Sequence, residues 1–360
     1  MKDRYQFSTQ AIHTGEPENI SAPPIYQAVT VDGVYLRSGN PTINVLETRI
    51  TVLEGGESAI ATSSGTSAIS QTLVALLSAG DRIVCHQTIY TWTREILNTY
   101  LTRFGVEVVY IDMRDLGQLQ QALQSPTRLI YFEPVCNPTV DIIDAESVIR
   151  LAQTVGATVV VDNTFLTPYH LCPLELGADI VIHSATKYLC GHGDTLAGII
   201  VCRTQELGQQ MAHVRNACGG VLSPQNAFLI LRGLKTLPIR MALHSANAQV
   251  VAEYLDGHPR VTKVNYPGLP STTGYEIAGR MIKNGFGGMI NFEVSSEQVQ
   301  NRFLDRVQLC KPWVSLGDAQ SLVVAENLGG LLSGGHDRIR MSVGLEAVED
   351  IIADLDQALV

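Results

Sequence analysis

From about residue 57 to residue 203 the chain repeats one texture. Short β-branched, apolar runs recur: SAIAT, DRIVCHQ, VEVVYID, TRLIYFE, ATVVVDN, ADIVIHS and GIIVCR. Stretches with helical spacing, such as SAISQTLVALLSA and DAESVIRLAQTV, stand between them. Runs this apolar, alternating with helices, belong in a mostly parallel sheet covered on both faces. A sheet of that kind collects ligands beyond the carboxyl ends of its strands. The expected fold class is therefore α/β.

The flanks depart from the repeat. The first 50 residues are rich in Pro, Gly, Thr and Asn and read as an extended arm, expected over 1–56. The sheet domain is expected over 57–235. Beyond it, a long helical stretch (TLPIRMALHSANAQVVAEYL) leads into VTKVNYP, GMINFEV and IRMSV, and the chain closes on EAVEDIIADLDQAL. That predicts a smaller α+β domain over 236–360. Charge excludes some partners. The formal net charge of −10 comes with no basic stripe, so nucleic acid is not expected. No apolar stretch approaches the roughly 20 residues of a membrane span, and the first residues carry no apolar secretion signal. Seven cysteines, an odd number with no CxxC pair, suit reduced thiols in the cytoplasm rather than a disulfide framework.

Several strand ends carry polar groups. VVVDN puts Asp162 at the end of a strand. SSGTSA (63–68) runs from a strand into a helix, where backbone N–H groups bind phosphate well. HSATK supplies Ser184, Thr186 and Lys187 within four residues. Taken singly, the aspartate reads as a turn residue, the Ser-Ser-Gly turn as a helix cap and the lysine as an exposed side chain. Together they are the parts that hold pyridoxal phosphate. The lysine forms the Schiff base, and the aspartate keeps the pyridinium nitrogen protonated so that the ring can take up electrons from the Cα–H bond. His192 and Asp194 of GHGD lack a third ligand at useful spacing, so no metal is expected. GGLLSGG (329–335) is followed by no GKS or GKT and reads as a flexible connection rather than a phosphate loop.

Four longer strings carry a resemblance: EPVCNP (133–138), VDNTFLTPY (161–169), HSATKYLCGHGD (183–194) and IRMSVGLE (339–346). They resemble the Cys/Met-metabolism family of pyridoxal-phosphate enzymes, from YLRSGNPT (35–42) to the C-terminal helix. The resemblance implies the aminotransferase-like fold type I of PLP-dependent transferases, with a large, mostly parallel sheet domain and a smaller C-terminal α+β domain. It also implies pyridoxal 5′-phosphate as cofactor, a small amino acid as substrate, and a homodimer with shared active sites that pairs into a homotetramer. Lys187 becomes the cofactor-bearing lysine and mobile acid/base, and Asp162 the pyridinium partner. The amides of Gly65 and Thr66, with the hydroxyls of Ser184 and Thr186, become the phosphate cup. Tyr35 and Arg37 would reach the neighbouring subunit's phosphate, for which residues 63–68 supply no positive charge. Tyr90 would stack on the ring and serve as an acid for the leaving group. Asn137, Ser315 and Arg340 would bind the substrate, with the planar fork of Arg340 on its carboxylate.

The implied chemistry is elimination or replacement at Cγ of a γ-substituted L-amino acid, either a sulfur amino acid or an O-activated homoserine. The alternative within the class is β-elimination from cysteine conjugates. From another class comes a non-catalytic, cofactor-binding regulator, against which the intact Lys187, Asp162 and Arg340 argue. KPWVSLGDAQSL (311–322) and SPQNAFLILRGLKTLPIRM (223–241) lean toward methionine γ-lyase-like members. Three departures alter the expected pocket. Trp92 stands where those members have a cysteine, Arg215-Asn216 replaces a lysine–aspartate pair, and the segment VVAENLGGLLSGGHDR (323–338) is shortened.

Overall fold

The computed structural model describes residues 5–326 and 337–360. Its strands, in chain order, are β1 (Thr30–Val31), β2 (Val34–Tyr35), β3 (Ser58–Thr62), β4 (Arg82–His86), β5 (Glu107–Ile111), β6 (Leu129–Phe132) and β7 (Thr158–Asp162). They continue with β8 (Ile180–His183), β9 (Gly198–Cys202), β10 (Val261–Asn265), β11 (Met289–Val294), β12 (Leu322–Ala325) and β13 (Arg338–Ser342). Seven of them form one sheet in the order β3-β9-β8-β7-β6-β4-β5. Every neighbouring pair is parallel except the two that involve β9.

The apolar runs explain this sheet residue by residue. Successive side chains of a strand point to opposite faces. Ala59, Ala61, Val84, Ile130, Phe132, Val159, Val161 and Val181 enter one core. Their immediate neighbours Ile60, Ile83, Cys85, Leu129, Tyr131, Val160, Ile180 and Ile182 enter a second core on the other face. Burying both faces is what makes the middle of each central run apolar, whereas the edge strand β5 is only half-buried. Leu46, fully buried in the first core, shows how tightly the N-terminal region closes that face.

The smaller sheet is antiparallel in the order β10-β11-β13-β12. One face packs on its own core, with Ile290, Phe292, Val323, Ile339 and Met341. The helix Leu237–Asp256 ties the two parts together. Leu237 and Met241 at its start enter the first sheet core, whereas Ala248, Val251 and Leu255 enter the smaller one. Strand β12 has no counterpart among the runs read from the sequence, because its four residues are too short to show a period.

The expected arm is extended only in part. Phe7–His13 is a helix, and Pro41–Glu54 is a 14-residue helix whose Ile43, Leu46, Ile50 and Leu53 join the large core. Asn40 caps it by accepting from the amides of Thr42 and Ile43 at 3.0 and 3.4 Å, Pro41 takes the first position, and Gly55 ends it at φ 80°. Between these helices the chain is mostly exposed and forms the short hairpin β1–β2. Among the described residues no helix is long and apolar enough to cross a membrane. GGLLSGG (329–335) and most of the shortened segment lie outside the described residues.

Candidate active site

Because β3, β4, β6, β7 and β8 run parallel, their carboxyl ends lie along one edge of the sheet. The loops that follow them carry most of the predicted site. Lys187 lies in the turn after β8, with its amide donating to Ser184 O at 3.1 Å. Its Nζ donates to Ser315 Oγ at 2.7 Å and has no carboxylate partner among the described residues. Burial, with the Arg340 charge second, lowers its pKa to about 8. A neutral, nucleophilic amine is thus accessible near neutral pH. Ser315 holds a positive φ of 107°, a sparsely populated conformation for a side-chain-bearing residue. Two residues on, Gly317 presses on the lysine backbone so closely that a Cβ there would stand 2.6 Å from Tyr188 N.

Asp162 closes β7, 8% exposed. One carboxylate oxygen accepts from Thr164 N and Thr164 Oγ1 at 3.1 and 2.6 Å, and the other from the Tyr131 hydroxyl at 3.2 Å. Burial raises its pKa, opposed first by the Thr164 bonds. Among the described residues it has no basic ion-pair partner, so its site suits a cationic ring N–H.

The phosphate end lies at the helix Gly65–Leu76. Ser64 Oγ caps the Ser67 amide at 3.1 Å, and the first-turn amides of Gly65 and Thr66 have no acceptor one turn back within the helix. A Cβ on Gly65 would meet Ser184 Cβ at 2.7 Å and Ser184 Oγ at 2.8 Å, so only glycine lets the helix start and the lysine loop approach this closely. The Thr186 hydroxyl is engaged elsewhere. It donates to Ala197 O at 3.2 Å and accepts from Ala197 N at 3.0 Å, which ties the lysine loop to the segment entering β9.

Tyr90, Asn137 and Arg340 converge through a residue that the sequence reading passed over. Glu133, 4% exposed, follows β6. One carboxylate oxygen accepts from Tyr90 N at 2.6 Å and the other from Asn137 N at 2.7 Å. Burial, then the Asp162 charge, pushes its carboxyl well above the usual range. The Arg340 guanidinium donates to Asn137 Oδ1 at 2.7 Å and to Ser315 O at 2.9 Å. Burial is the main cause that raises the Tyr90 phenol's pKa, followed by the Asp162 charge, so it keeps its proton at neutral pH. The only sequence signal for Glu133 was its place at a strand end beside Asn137. In Glu133→Gln protein, one of the two amides faces an NH2 instead of an oxygen. A displacement of Tyr90 or Asn137 on the ångström scale should lower kcat/KM roughly 10²-fold while cofactor content holds. Steady-state kinetics check this; a fall below threefold would mean the two loops keep their places without the carboxylate.

Tyr35 and Arg37 are not brought to Lys187 within the chain. Both are exposed on the β1–β2 hairpin and the turn after it, with the Arg37 guanidinium 5.4 Å from the centre of the Tyr35 ring. His192 Nδ1 lies 2.7 Å from Cys190 O, and Asp194 accepts from Cys190 Sγ at 3.1 Å. Trp92 and Trp313, the chain's two tryptophans, are 54% and 59% exposed beside Tyr90 and Ser315.

The donor set fits pyridoxal phosphate. A buried amine with a lowered pKa, a buried carboxylate with no basic ion-pair partner among the described residues and a glycine-lined helix start stand at or just past the carboxyl ends of β8, β7 and β3. Comparison with known proteins agrees. Residues 8–360 match the profile of the Cys/Met metabolism PLP-dependent enzymes. L-methionine gamma-lyase of Fusobacterium nucleatum subsp. nucleatum is 44% identical over 98% of this chain and 97% of its own length. Cystathionine beta-lyase of Lactococcus lactis subsp. cremoris is 39% identical over 98% of both. The crystal structure of cystathionine gamma-lyase from Lactobacillus plantarum, complexed with L-serine, superposes with a TM-score of 0.94 at 37% identity, covering 98% of each chain.

Proposed function

The chain belongs to the Cys/Met metabolism family of PLP-dependent enzymes, and on that premise we propose that it eliminates or replaces the γ-substituent of an L-amino acid, either a sulfur amino acid or an O-activated homoserine. One observation carries the reading. Ser315 takes the Lys187 amine on its hydroxyl and the Arg340 guanidinium on its carbonyl, so base and carboxylate clamp are held by a single residue. Pyridoxal phosphate supplies the electron sink that makes α-proton removal feasible. Lys187 and Asp162 would hold its two ends of the ring, and the Gly65 and Thr66 amides with Ser184 Oγ its phosphate.

The chain's own groups then divide the work. Arg340 and Asn137 orient the substrate carboxylate, which fixes the α-hydrogen relative to Lys187 Nζ. With its pKa near 8, Lys187 can take a proton from Cα and release it again without a large penalty in either direction. Loss of a γ-substituent needs a second proton to leave Cβ, and the same flexible amine reaches both carbons. Tyr90 keeps its phenolic proton and can deliver it to the departing sulfur or oxygen. Val314, 72% exposed immediately before Ser315, puts no charge at the far end of the substrate, which favours an uncharged thioether. The likeness to a cystathionine beta-lyase supports β-elimination as the second reading. A panel of methionine, cystathionine, homocysteine, O-acyl homoserines and cysteine conjugates decides between them. Release of 2-oxobutyrate is the expected outcome, and pyruvate alone would overturn the γ reading. Adding a thiol separates replacement from elimination.

A shared site in a homodimer, paired into a homotetramer, is part of this proposal. Tyr26, Val29, Val34 and Tyr35 are exposed apolar residues around Arg37, and Arg37 has no ion-pair partner among the described residues. An arginine donated from the neighbouring chain would give the phosphate the full positive charge that residues 63–68 lack. Arg37→Ala should weaken cofactor retention by roughly 10- to 100-fold, the size of one charge-assisted hydrogen-bonded pair. Mixing it with Lys187→Ala protein should restore part of the activity. Absence of recovery in verified mixed dimers would refute donation across the interface. Seven free cysteines support a reducing, cytoplasmic location.

A further inference from the structure

Glu326 is the fourth residue of the shortened segment (323–338), and none of the roles above uses it. Strand pairing puts it on the polar face of the smaller sheet. Asn291 and Val324 lie directly opposite Arg340, and Glu293 opposite Arg338. Glu326 N donates to Arg338 O at 3.1 Å, which continues the same register. The alternate residues Phe292, Val323, Ile339 and Met341 fill the core behind, so Glu326, Arg338 and Arg340 share the opposite face.

On that face the charges are unevenly matched. Arg338 is paired with Glu293 at 3.0 Å. Arg340 donates only to the neutral oxygens of Asn137 and Ser315, and no carboxylate contacts it among the described residues. Glu326 is 4% exposed. One of its oxygens accepts from Asn291 Nδ2, and the other is buried without a hydrogen-bond partner among the described residues. Arg340 lies diagonally across the strands from it, within electrostatic reach.

We propose that Glu326 is a titratable counter-charge to Arg340, so that binding of an amino-acid carboxylate at Arg340 is coupled to uptake of one solvent proton at Glu326. The inference rests on Arg340 as the carboxylate clamp. In the empty site the ionised Glu326 offsets a buried guanidinium. When a substrate carboxylate arrives, two anions share one cation in a poorly solvated place, and protonating Glu326 removes the conflict. The groups that face it are Arg338 and Arg340 on β13, Asn291 and Glu293 on β11, and Asp141 in the loop after β6, itself bonded to Arg114 at 2.9 Å. Burial raises its carboxyl and Arg338 leads the groups that lower it, so burial favours the protonated form while the neighbouring cations favour the ionised one. The sign follows: binding strengthens as pH falls through the Glu326 titration.

The test uses the holoenzyme and L-norleucine, which has a carboxylate but no γ-leaving group. Affinity is followed through cofactor absorbance from pH 6 to 9, and calorimetry in buffers of different ionisation enthalpy counts the protons. Glu326→Gln keeps an oxygen for Asn291 but cannot ionise. It should bind norleucine about tenfold more tightly at the alkaline end, with a flatter pH profile and up to one proton fewer taken up. In the unaltered protein, infrared difference spectra should show one carboxylate lost and one carboxylic acid gained on binding. Equal or weaker binding by Glu326→Gln with an unchanged proton count, or no carboxylic acid band, overturns the proposal. If Arg340→Lys binds norleucine as well as the unaltered protein does, the clamp reading itself fails, and this inference with it.

Discussion

Lys187→Ala protein should lose turnover by roughly 10³- to 10⁴-fold while still taking up pyridoxal phosphate without covalent attachment. The size follows from removing one group that supplies both the attachment point and the proton carrier. Asp162 and the Gly65–Thr66 helix start remain to hold the cofactor's other parts. Borohydride should fix the cofactor to residue 187 of the unaltered protein and to no lysine of the variant. A pH arm sharpens the test. Only the neutral amine attacks an aldehyde, and the Lys187 pKa lies near 8 instead of its ordinary value because of burial and Arg340. Covalent reloading of the apoprotein should therefore accelerate as pH rises and level off above about 8. A rate still climbing steeply at pH 10 would show that the amine is not held as the structure places it. Turnover by the alanine variant within tenfold of normal would remove Lys187 from the reaction altogether.

Arg340→Leu is expected to raise KM for the amino-acid substrate about a hundredfold, the loss of a charged, two-pronged contact worth roughly 3 kcal/mol. Its guanidinium already sits on Asn137 Oδ1 and Ser315 O, so little rearrangement is needed to receive a carboxylate. Arg340→Lys restores the charge without the fork and should fall between the two. The Lys187 pKa should also rise in Arg340→Leu, because a neighbouring cation is gone. The reloading profile would then shift to higher pH. A KM change below threefold, with the reloading profile unmoved, would place the carboxylate elsewhere.

The two variants draw on information of different kinds. The seven strands of the large sheet were all legible, because burial on both faces of the central strands, and partial burial of the edge strand β5, leaves apolar runs, and the helices between them show their own period. Lys187, Asp162 and the Gly65 turn were legible for the same reason. Each ends such a run or follows it within a few residues, and the carboxyl edge of a parallel sheet is where such groups can meet. The helix Pro41–Glu54 was written in the sequence as well, in the Asn40 cap, Pro41, the spacing of Ile43, Leu46, Ile50 and Leu53, and Gly55. The Pro- and Gly-rich stretch before it hid that signal.

Glu133 and Glu326 belong to the other kind. Glu133 reaches back 43 residues to the Tyr90 amide, a contact that exists only because β4 and β6 are neighbours in the sheet although β5 lies between them in the chain. Glu326 faces Arg340 only because β12 pairs beside β13 in one register; a slip of one residue would turn it to the apolar face. Local sequence determines which segments are strands and which strand ends bear chemistry, since periodicity and polarity act over a few residues. Which of those ends become neighbours, and how far each proton and charge moves as a result, depends on strand order, register and burial. Those are set by contacts between segments far apart in the chain, and only the folded structure decides them.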